Sequence, residues 1–355
     1  FELFNDKNSI LTVKLFNFER DLEKNISNLC KKLHENGLKD IHIGSFFEYP
    51  KSLEYEKYQL SKEEFCNGQS LEDCCEEDKI HFFSSSLKHH EIEQKDIKRY
   101  ELSFRKIIDA NIEFHIISTL WVMKIGQYID EKFSKDVYGS RLIRIKPTDT
   151  SSCEYDFSSQ EFNVDSPRIY EQYQYKYQAW RNNSFKSIRE LHKTSSVIAI
   201  TMDISKFYHS INPQYFSTQT FYEEFDFDKN IDTNWKQFHI DFINKIIEWN
   251  KSLSENKKKD QIVGIPIGLT ASPVLANAIM KEFDKNINSI APTYYGRYVD
   301  DILLVFPDNG DLNSGEKVLE YLKNRNVINE KDNDFILYKD SENKGDFKLK
   351  KSKQK

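Results

Sequence analysis

Two adjacent acidic residues, Asp300 and Asp301, stand between two apolar runs in the last third of the chain. The aromatic and β-branched residues around them, over 295–299 and 302–306, predict a β-hairpin with the acids at its tip. Neighbouring carboxylates repel each other, which lowers stability unless a cation neutralises them. Oxygen ligands of this kind favour Mg2+ or Mn2+, although an ordinary hairpin turn without a metal stays open as an alternative.

A further acid, Asp203, follows the apolar and β-branched run 196–202, which predicts a buried strand. After Asp203 the chain is predicted to turn into a helix. A strand that delivers a carboxylate at its end holds a metal ligand rigidly beside a cleft. Taken alone, an Asp in this position is more often a helix cap or a turn residue.

Small residues dominate the segment 264–277, which lies between these two acidic sites. Gly264 and Gly268 allow the backbone to pass close to a ligand. Ser272 is predicted to cap a helix whose first residue is Pro273. The segment fits either a tightly packed helix contact or a surface on which a nucleotide and a template base lie flat.

Two helices are predicted before the first acid. Apolar residues that recur every three to five positions over 101–133 predict a helix with one face towards the core. Residues 168–192 predict a second helix, with aromatic residues on one side and basic residues beyond them. These residues are Tyr170, Tyr173, Tyr177 and Trp180, followed by Arg181, Lys186 and Arg189. Such a helix suits single-stranded nucleic acid, whereas the spacing favours a buried aromatic stripe.

Composition narrows the class of protein. Of 355 residues, 51 are Lys or Arg and 57 are Asp or Glu, and the resulting net charge of −6 argues against a basic nucleic-acid-coating protein. No apolar run approaches the ~18 residues that span a bilayer. The odd count of five Cys favours a reducing cytoplasm over a disulfide framework. The chain starts without Met, which predicts a fragment or a processed product.

The three segments, in this order, resemble the palm motifs of reverse transcriptases. Residues 203–208 resemble motif A, residues 264–277 motif B and residues 298–301 motif C. The upstream Tyr-Gly-Ser-Arg-Leu at 138–142 resembles an element of the fingers. The sequence of motif B has Ile267 where many members carry Gln. In this it looks most like motif B of the bacterial abortive-infection and defence-associated reverse transcriptases.

The resemblance implies an α+β right-hand polymerase, with fingers and a palm built on a three- or four-stranded antiparallel sheet with flanking helices. It leaves the thumb incomplete or absent in this chain. The implied division is a helix-rich N-terminal region with an acidic insertion at 1–100, fingers at 101–195, a palm with motifs A, B and C at 196–306, and the end of the palm with the start of a thumb or a tail at 307–355.

The resemblance also implies two-metal nucleotidyl transfer. Asp203, Asp300 and Asp301 would be the catalytic residues, and the same three acids with Ile204 would hold two Mg2+ ions, with Mn2+ as an alternative. An aromatic residue at Tyr208 would exclude a 2′-hydroxyl and so favour dNTPs. The implied nucleotide-binding residues are Lys206, Phe207, Tyr208, Gly268, Ser272, Asn277 and Arg141. Lys331, Lys339 and Lys344 each stay open as a general acid.

The implied function is that of an RNA-directed DNA polymerase in bacterial antiphage defence, acting in the cytoplasm and not on a membrane. Its partners would be dNTPs, an RNA template such as a dedicated non-coding RNA, the DNA product, and further copies or other defence subunits. Two alternatives stay open. One is a polymerase that makes DNA without a nucleic-acid template, primed on a protein. The other is a catalytically silent subunit with a polymerase fold.

Overall fold

The computed structural model describes residues 9–58, 79–83, 97–145, 161–254, 264–308, 310–312, 314–331, 334–338 and 344–349. The chain divides into two compact units. One unit comprises Gly44–Asp109, and the other comprises Phe1–Ile43 together with Ala110–Lys355. Helices and antiparallel strands are both well represented, which confirms the predicted α+β class.

Along the described chain, runs of helices are interrupted by short groups of strands. The helices are α1 Ser9–Glu19, α2 Leu22–Asn36, α3 Ile112–Trp121, α4 Gln127–Glu131, α5 Tyr173–His192, α6 Phe207–Ser210, α7 Gln219–Glu224, α8 Phe227–Asn230, α9 Thr233–Ser254, α10 Ser272–Ile279, α11 Lys281–Ser289 and α12 Gly315–Asn324. A π-helical segment, Val122–Gly126, joins α3 to α4, and a 3-10 helix, Pro213–Ser217, precedes α7. The strands are β1 Gly44–Tyr58, β2 Lys79–Phe83, β3 Ile97–Ala110, β4 Val197–Met202, β5 Tyr294–Tyr298, β6 Asp301–Pro307, β7 Asn329–Lys331 and β8 Asp334–Ile336.

The first hundred residues differ from the helix-rich region that was predicted. Helices α1 and α2 are present, but they are followed by a three-stranded sheet of order β1-β3-β2, in which β2 and β3 are antiparallel. The acidic segment that was read as an insertion begins inside β1, and residues 59–78 lie outside the described ranges. Much of this stretch is too charged to show an apolar helical face, so its strands could not be recognised from periodicity.

The long helix predicted over 101–133 begins later, at Ile112. Residues 101–110 belong to β3 instead. The sequence of β3 alternates apolar Tyr100, Leu102 and Phe104 with polar neighbours, which is the two-residue period of a strand. From Ile112 onward the predicted helix is present, and Phe114, Ile117 and Trp121 are fully buried.

The sheet that carries the acids has the order β4-β6-β5, and both of its strand pairs are antiparallel. β5 is buried along its whole length, whereas the end of β4 alternates between buried and exposed residues. Met202 in β4 and Ile302 in β6 face each other and are buried, whereas Thr201 is exposed. The predicted antiparallel palm sheet is therefore confirmed, with three strands.

A second core lies around the buried imidazole of His239 in α9. The rings of Trp121, Phe221 and Phe227 lie within 6 Å of it, centroid to centroid. All of these side chains are almost completely excluded from water. No helix among the described residues is both long enough and apolar enough to cross a membrane.

Candidate active site

The strand register brings the predicted acids to one end of the central sheet. The last pair of β4 and β6 is Met202 with Ile302. If this register is continued by one residue, Asp203 lies across from Asp301 at the start of β6. Asp300 occupies the turn between β5 and β6. Asp203 and Asp300 are half-buried, and Asp301 is exposed. Asp203 is almost a hundred residues before Asp300 and Asp301 in the sequence, yet all three acids lie at the same end of the sheet.

The turn that bears Asp300 has a constrained backbone. Val299 has a φ of 59°, in the left-handed region that β-branched residues rarely adopt. Gly139 packs directly on this turn, because a Cβ atom at that position would lie 2.7 Å from the Val299 nitrogen. Main-chain hydrogen bonds hold the two segments together: Tyr138 donates to the Arg297 carbonyl, and Arg297 donates to the Asp136 carbonyl, both at 2.8 Å. The segment that resembled a fingers element therefore braces the acidic turn.

A buried ion pair lies behind the same turn. The Arg297 guanidinium is fully buried and donates to both oxygens of Asp284, at 2.7 and 2.8 Å. It also donates to the carbonyl oxygen of Val299 at 2.8 Å, so the charge network ends on the residue next to Asp300. Although burial alone would lower the pKa of Arg297, the Asp284 carboxylate raises it above its ordinary value. Arg297 therefore remains charged and fixes the turn.

Tyr295 completes this network from the same strand. Its hydroxyl donates to Asp284, and burial raises the pKa of Tyr295 well above its ordinary value, with Asp284 adding to the rise. The phenol therefore stays protonated and remains a donor. Sequence reasoning missed both residues, although one signal was available: Arg297 is a charged residue inside an otherwise aromatic and apolar strand.

Asn277 and Ser272 lie in the interior and bind the protein itself. The Asn277 amide donates to the Gly139 carbonyl at 2.9 Å, and its oxygen accepts from Arg297 at 2.9 Å. The Ser272 hydroxyl donates to the carbonyl of Pro266, and Ala271 precedes α10 without any side-chain cap. The prediction that Ser272 caps this helix is therefore wrong. Both side chains position the segments around the acids, and their part in nucleotide binding stays a prediction.

The glycines of the small-residue segment have distinct roles. Gly264 has a φ of 72°, and a Cβ atom there would lie 2.0 Å from the Tyr208 carbonyl. The same carbonyl accepts a hydrogen bond from Ile265 at 3.0 Å, so this segment docks directly on α6. Gly268 has a φ of 107° and is exposed, which leaves its backbone accessible to a ligand.

The residues after Asp203 differ in how far they are buried. Ile204 is buried, and its side chain has no ligand atom, so it could bind a metal only through its carbonyl oxygen. Lys206 is exposed and starts α6 from a left-handed conformation, with a φ of 50°. Phe207 is buried against the ring of Phe347 at 5.8 Å, and its amide is the part that could meet a phosphate. Tyr208 is half-buried.

Arg141 was predicted to bind the triphosphate, but the structure shows it in an internal ion pair. It is buried, pairs with Asp130 at 3.0 Å, and donates to the carbonyls of Ser134 and Val137. Arg144 binds the second oxygen of the same carboxylate at 3.0 Å. Because a buried carboxylate requires compensation, Asp130 holds both arginines inside the fold.

The three lysines that were candidates for a general acid have different surroundings in the structure. Lys344 is buried, pairs with Glu282 at 2.6 Å, and lies under 5 Å from the ring centroids of Tyr215 and Tyr338. It serves an internal ion pair. Lys331 is exposed in β7, and Lys339 lies outside the described residues.

The acids match a hard divalent cation in chemistry. Carboxylate oxygens are the ligands that Mg2+ and Mn2+ prefer, and Asp203 and Asp300 offer them from neighbouring strand ends. Within the described ranges, no group of three or more His, Cys, Asp and Glu side chains is already arranged to hold a metal ion. The acids thus fit such a cation by the chemistry of their oxygen atoms.

An acid at the end of an edge strand, beside an acidic hairpin turn on the same antiparallel sheet, is typical of a nucleotidyltransferase of the polymerase class. The family model for the reverse transcriptase (RNA-dependent DNA polymerase) matches residues 133–331, more than half of the chain. The chain belongs to this family and is an RNA-directed DNA polymerase. The resemblance inferred from its motifs is thereby confirmed for the family. A search of curated proteins found no match.

Proposed function

We propose that this protein extends a primer with dNTPs along an RNA template, using Asp203, Asp300 and Asp301 as its catalytic acids. The observation that carries the proposal is the register of β4 and β6, which places Asp203 across from Asp301 and beside the turn of Asp300. Two Mg2+ ions bound there would activate the primer hydroxyl and stabilise the charge of the leaving pyrophosphate. Asp203 and Asp300 would hold both ions, with Asp301 and the Ile204 carbonyl in support.

The neighbouring residues would bind and orient the incoming nucleotide. The exposed turn at Lys206 presents main-chain N–H groups, including that of Phe207, near Asp203, where they would receive phosphate oxygens. Tyr208 would lie against the sugar and exclude a 2′-hydroxyl, which selects dNTPs over NTPs. Gly268 would let the base and its template partner approach the backbone.

The experiment that tests this function is incorporation of labelled dNTPs on an RNA template with a DNA primer. Asp300→Asn keeps the size of the side chain and removes its charge, and we expect it to lower the rate about a hundredfold or more. Asp311→Asn is the matched control, because Asp311 is an exposed acid elsewhere in the chain. Equal rates for wild type and Asp300→Asn would contradict the assignment.

Sugar selection gives a separate test of Tyr208. Tyr208→Ala should increase incorporation of NTPs relative to dNTPs, because the ring that would contact the 2′ position is removed. Tyr208→Phe keeps that ring and should leave the preference unchanged. A variant without the ring that still rejects NTPs as well as wild type would contradict this role.

We also propose that the enzyme serves bacterial antiphage defence, in the cytoplasm, with a dedicated non-coding RNA as template and in complex with further copies or other defence subunits. Support for this comes from the sequence Gly-Ile-Pro-Ile-Gly at 264–268, with its Ile267. Phage plating on cells that carry the complete system should improve when wild type is replaced by Asp300→Asn. Sequencing of the product against the co-purified RNA tests the template, since DNA without an RNA counterpart would refute it.

A further inference from the structure

Helix α5 packs one of its faces on the sheet that carries the acids. The Tyr177 ring lies 5.4 Å from the ring of Tyr298, and the Trp180 carbonyl accepts a hydrogen bond from Tyr294 at 3.0 Å. Trp180 and Ser184 are buried on this same face. The orientation of α5 around its own axis is therefore fixed by contacts with β5.

The outer side of α5 carries an exposed row of alternating charge and ring. Arg181, Phe185 and Arg189 recur at steps of four residues and therefore form a stripe along the helix. All three are exposed, and the Phe185 side chain keeps 46% of its surface in solvent. The Arg181 guanidinium lies 5.8 Å from the centre of the Phe185 ring. We call these three residues the α5 stripe.

The charge around the stripe differs in sign from that of the whole protein. Helix α5 contains four Lys or Arg residues, namely Lys176, Arg181, Lys186 and Arg189, whereas Glu190 is its one acid. Lys176 is paired with Glu171 at 3.7 Å, so the net positive charge comes from the other three. Glu190 already pairs with Lys193 at 2.7 Å, and this contact lowers the pKa of Glu190. A positive helix on a chain with a net charge of −6 favours a polyanionic partner.

The dimensions of the stripe suit a short piece of single-stranded nucleic acid. Arg181 and Arg189 are eight residues apart, which is about 12 Å along a helix. A stacked strand advances about 3.4 Å per nucleotide, so the two arginines span roughly three nucleotides. An exposed ring between two cations can stack on a base while the guanidinium groups neutralise phosphates.

We propose that the α5 stripe binds single-stranded nucleic acid outside the catalytic acids, namely the unpaired part of the template. Phe185 stacks on one base, and Arg181 and Arg189 each contact a phosphate. The choice of the template as the source rests on the proposed function, but the binding itself requires no catalysis. Its test can therefore be separated from a test of polymerase activity.

The test uses the whole chain with Asp300→Asn in every sample, so that no synthesis takes place. Binding of labelled single-stranded RNA and single-stranded DNA of equal length is measured over a range of salt concentrations. Replacing both arginines, Arg181→Gln with Arg189→Gln, should weaken binding about tenfold or more at low salt. It should also reduce the slope of log affinity against log salt by about 1.4, because two phosphate contacts are lost.

Phe185 is tested against a control on the same helix. Phe185→Ala should weaken binding about fivefold or more, whereas Phe185→Trp should keep it, since stacking needs only an aromatic face. Tyr175→Ala is the control, because Tyr175 is 69% exposed but lies about 80° around the helix from Phe185. For the arginines, the exposed Lys24 and Lys31 of α2, both changed to Gln, are the control of equal charge.

The two arms of the experiment decide the identity of the ligand. Weaker binding of RNA, of DNA or of both by the stripe variants supports the site and identifies the strand that it takes. The proposal would be overturned if the stripe variants kept the affinity and the salt slope of wild type for both RNA and DNA. It would also be overturned if they lost binding only to anionic lipid vesicles. With Asp300 kept, the Arg181→Gln, Arg189→Gln variant should lose more primer extension on a template with a long unpaired end than on one with a single unpaired nucleotide, whereas failure of the proposed function would abolish extension by wild type on both.

Discussion

The support behind the acidic turn and the core around His239 are both buried, yet they are built from different interactions. Behind the turn, Arg297 and Asp284 form an ion pair, and each further contact is a directed hydrogen bond. Around His239, aromatic rings pack on a neutral imidazole that accepts from the Trp121 indole at 3.1 Å and contacts the Phe216 carbonyl at 2.7 Å. The first region fixes the direction of groups, and the second fills volume.

This difference indicates what each region contributes. A hydrogen-bonded charge is costly to bury, and replacing such a pair by apolar residues often leaves stability unchanged. Its presence next to Asp300 is therefore better explained by positioning of the turn than by stability. Ring packing has the opposite character, since it contributes mainly through buried area. Variants in the two regions should thus separate activity from stability.

The largest expected effect comes from removing the buried cation. Arg297→Met leaves the Asp284 carboxylate uncompensated and should lower the free energy of unfolding by about 3–5 kcal/mol. Thermal or denaturant unfolding measures the loss. The double variant Arg297→Met with Asp284→Leu should recover most of that stability but not the activity, because the Val299 carbonyl still lacks its donor. Recovery of full activity by the double variant would contradict a positioning role.

An effect of similar size should appear on acidification in the His239 core. Burial lowers the pKa of His239 from 6.5 to about 4, so the folded state disfavours the charged form. The stability contributed by the neutral ring is fully present above pH 6.5 and is lost as the pH falls towards 4. The loss amounts to about 3 kcal/mol. Unfolding measured against pH for wild type and His239→Gln tests this, since the variant should lack that part of the pH dependence.

A smaller effect is expected from a single hydroxyl in the support of the turn. Tyr295→Phe removes one donor from Asp284 and should cost about 1.5 kcal/mol, the size of a hydrogen bond to a charged group. The rate of nucleotide incorporation should fall together with the stability. A matched change in the aromatic core, Phe221→Leu, should lower stability and leave the rate per folded molecule unchanged. A rate that Tyr295→Phe leaves intact would weaken the contrast between the two regions.

The smallest effect is expected outside both regions. Lys193 and Glu190 pair at 2.7 Å, but both side chains are more than half exposed. Lys193→Ala should therefore leave the free energy of unfolding nearly unchanged, since solvent and salt screen such a pair. Denaturant unfolding at low and high salt checks this. A loss comparable to that of Tyr295→Phe would show that surface charge matters more than the buried contrast suggests.

The central sheet could be predicted from the sequence because its signals are local. The β-branched run before Asp203 and the apolar residues around Asp300 each indicate a strand within a few positions. Gly264 was predicted to let the backbone approach a ligand, whereas the structure shows that its close neighbour is the Tyr208 carbonyl of the protein itself. The roles of the three acids themselves stay a prediction.

The remaining features depend on contacts between distant segments. Nothing near Arg141 in the sequence indicates that it pairs with Asp130, eleven residues earlier, and a basic residue at this position suggests a phosphate ligand equally well. Arg297 and Asp284 form a pair only because α11 packs behind β5. The sheet of β1, β2 and β3 was missed because the two-residue period of β3 was interpreted as the start of the helix predicted over 101–133.

The left-handed backbone of Val299 has a consequence for the order of folding. This conformation costs about 1–3 kcal/mol, so a free hairpin of the same sequence would not hold it. The groups that impose it, Gly139 and Arg297, come from opposite sides of β4 in sequence and meet only when the chain is nearly folded. We therefore expect the hairpin turn to be completed late, after the helices have assembled. Nascent or partly refolded chains would then contain the sheet before they acquire any power to synthesise DNA.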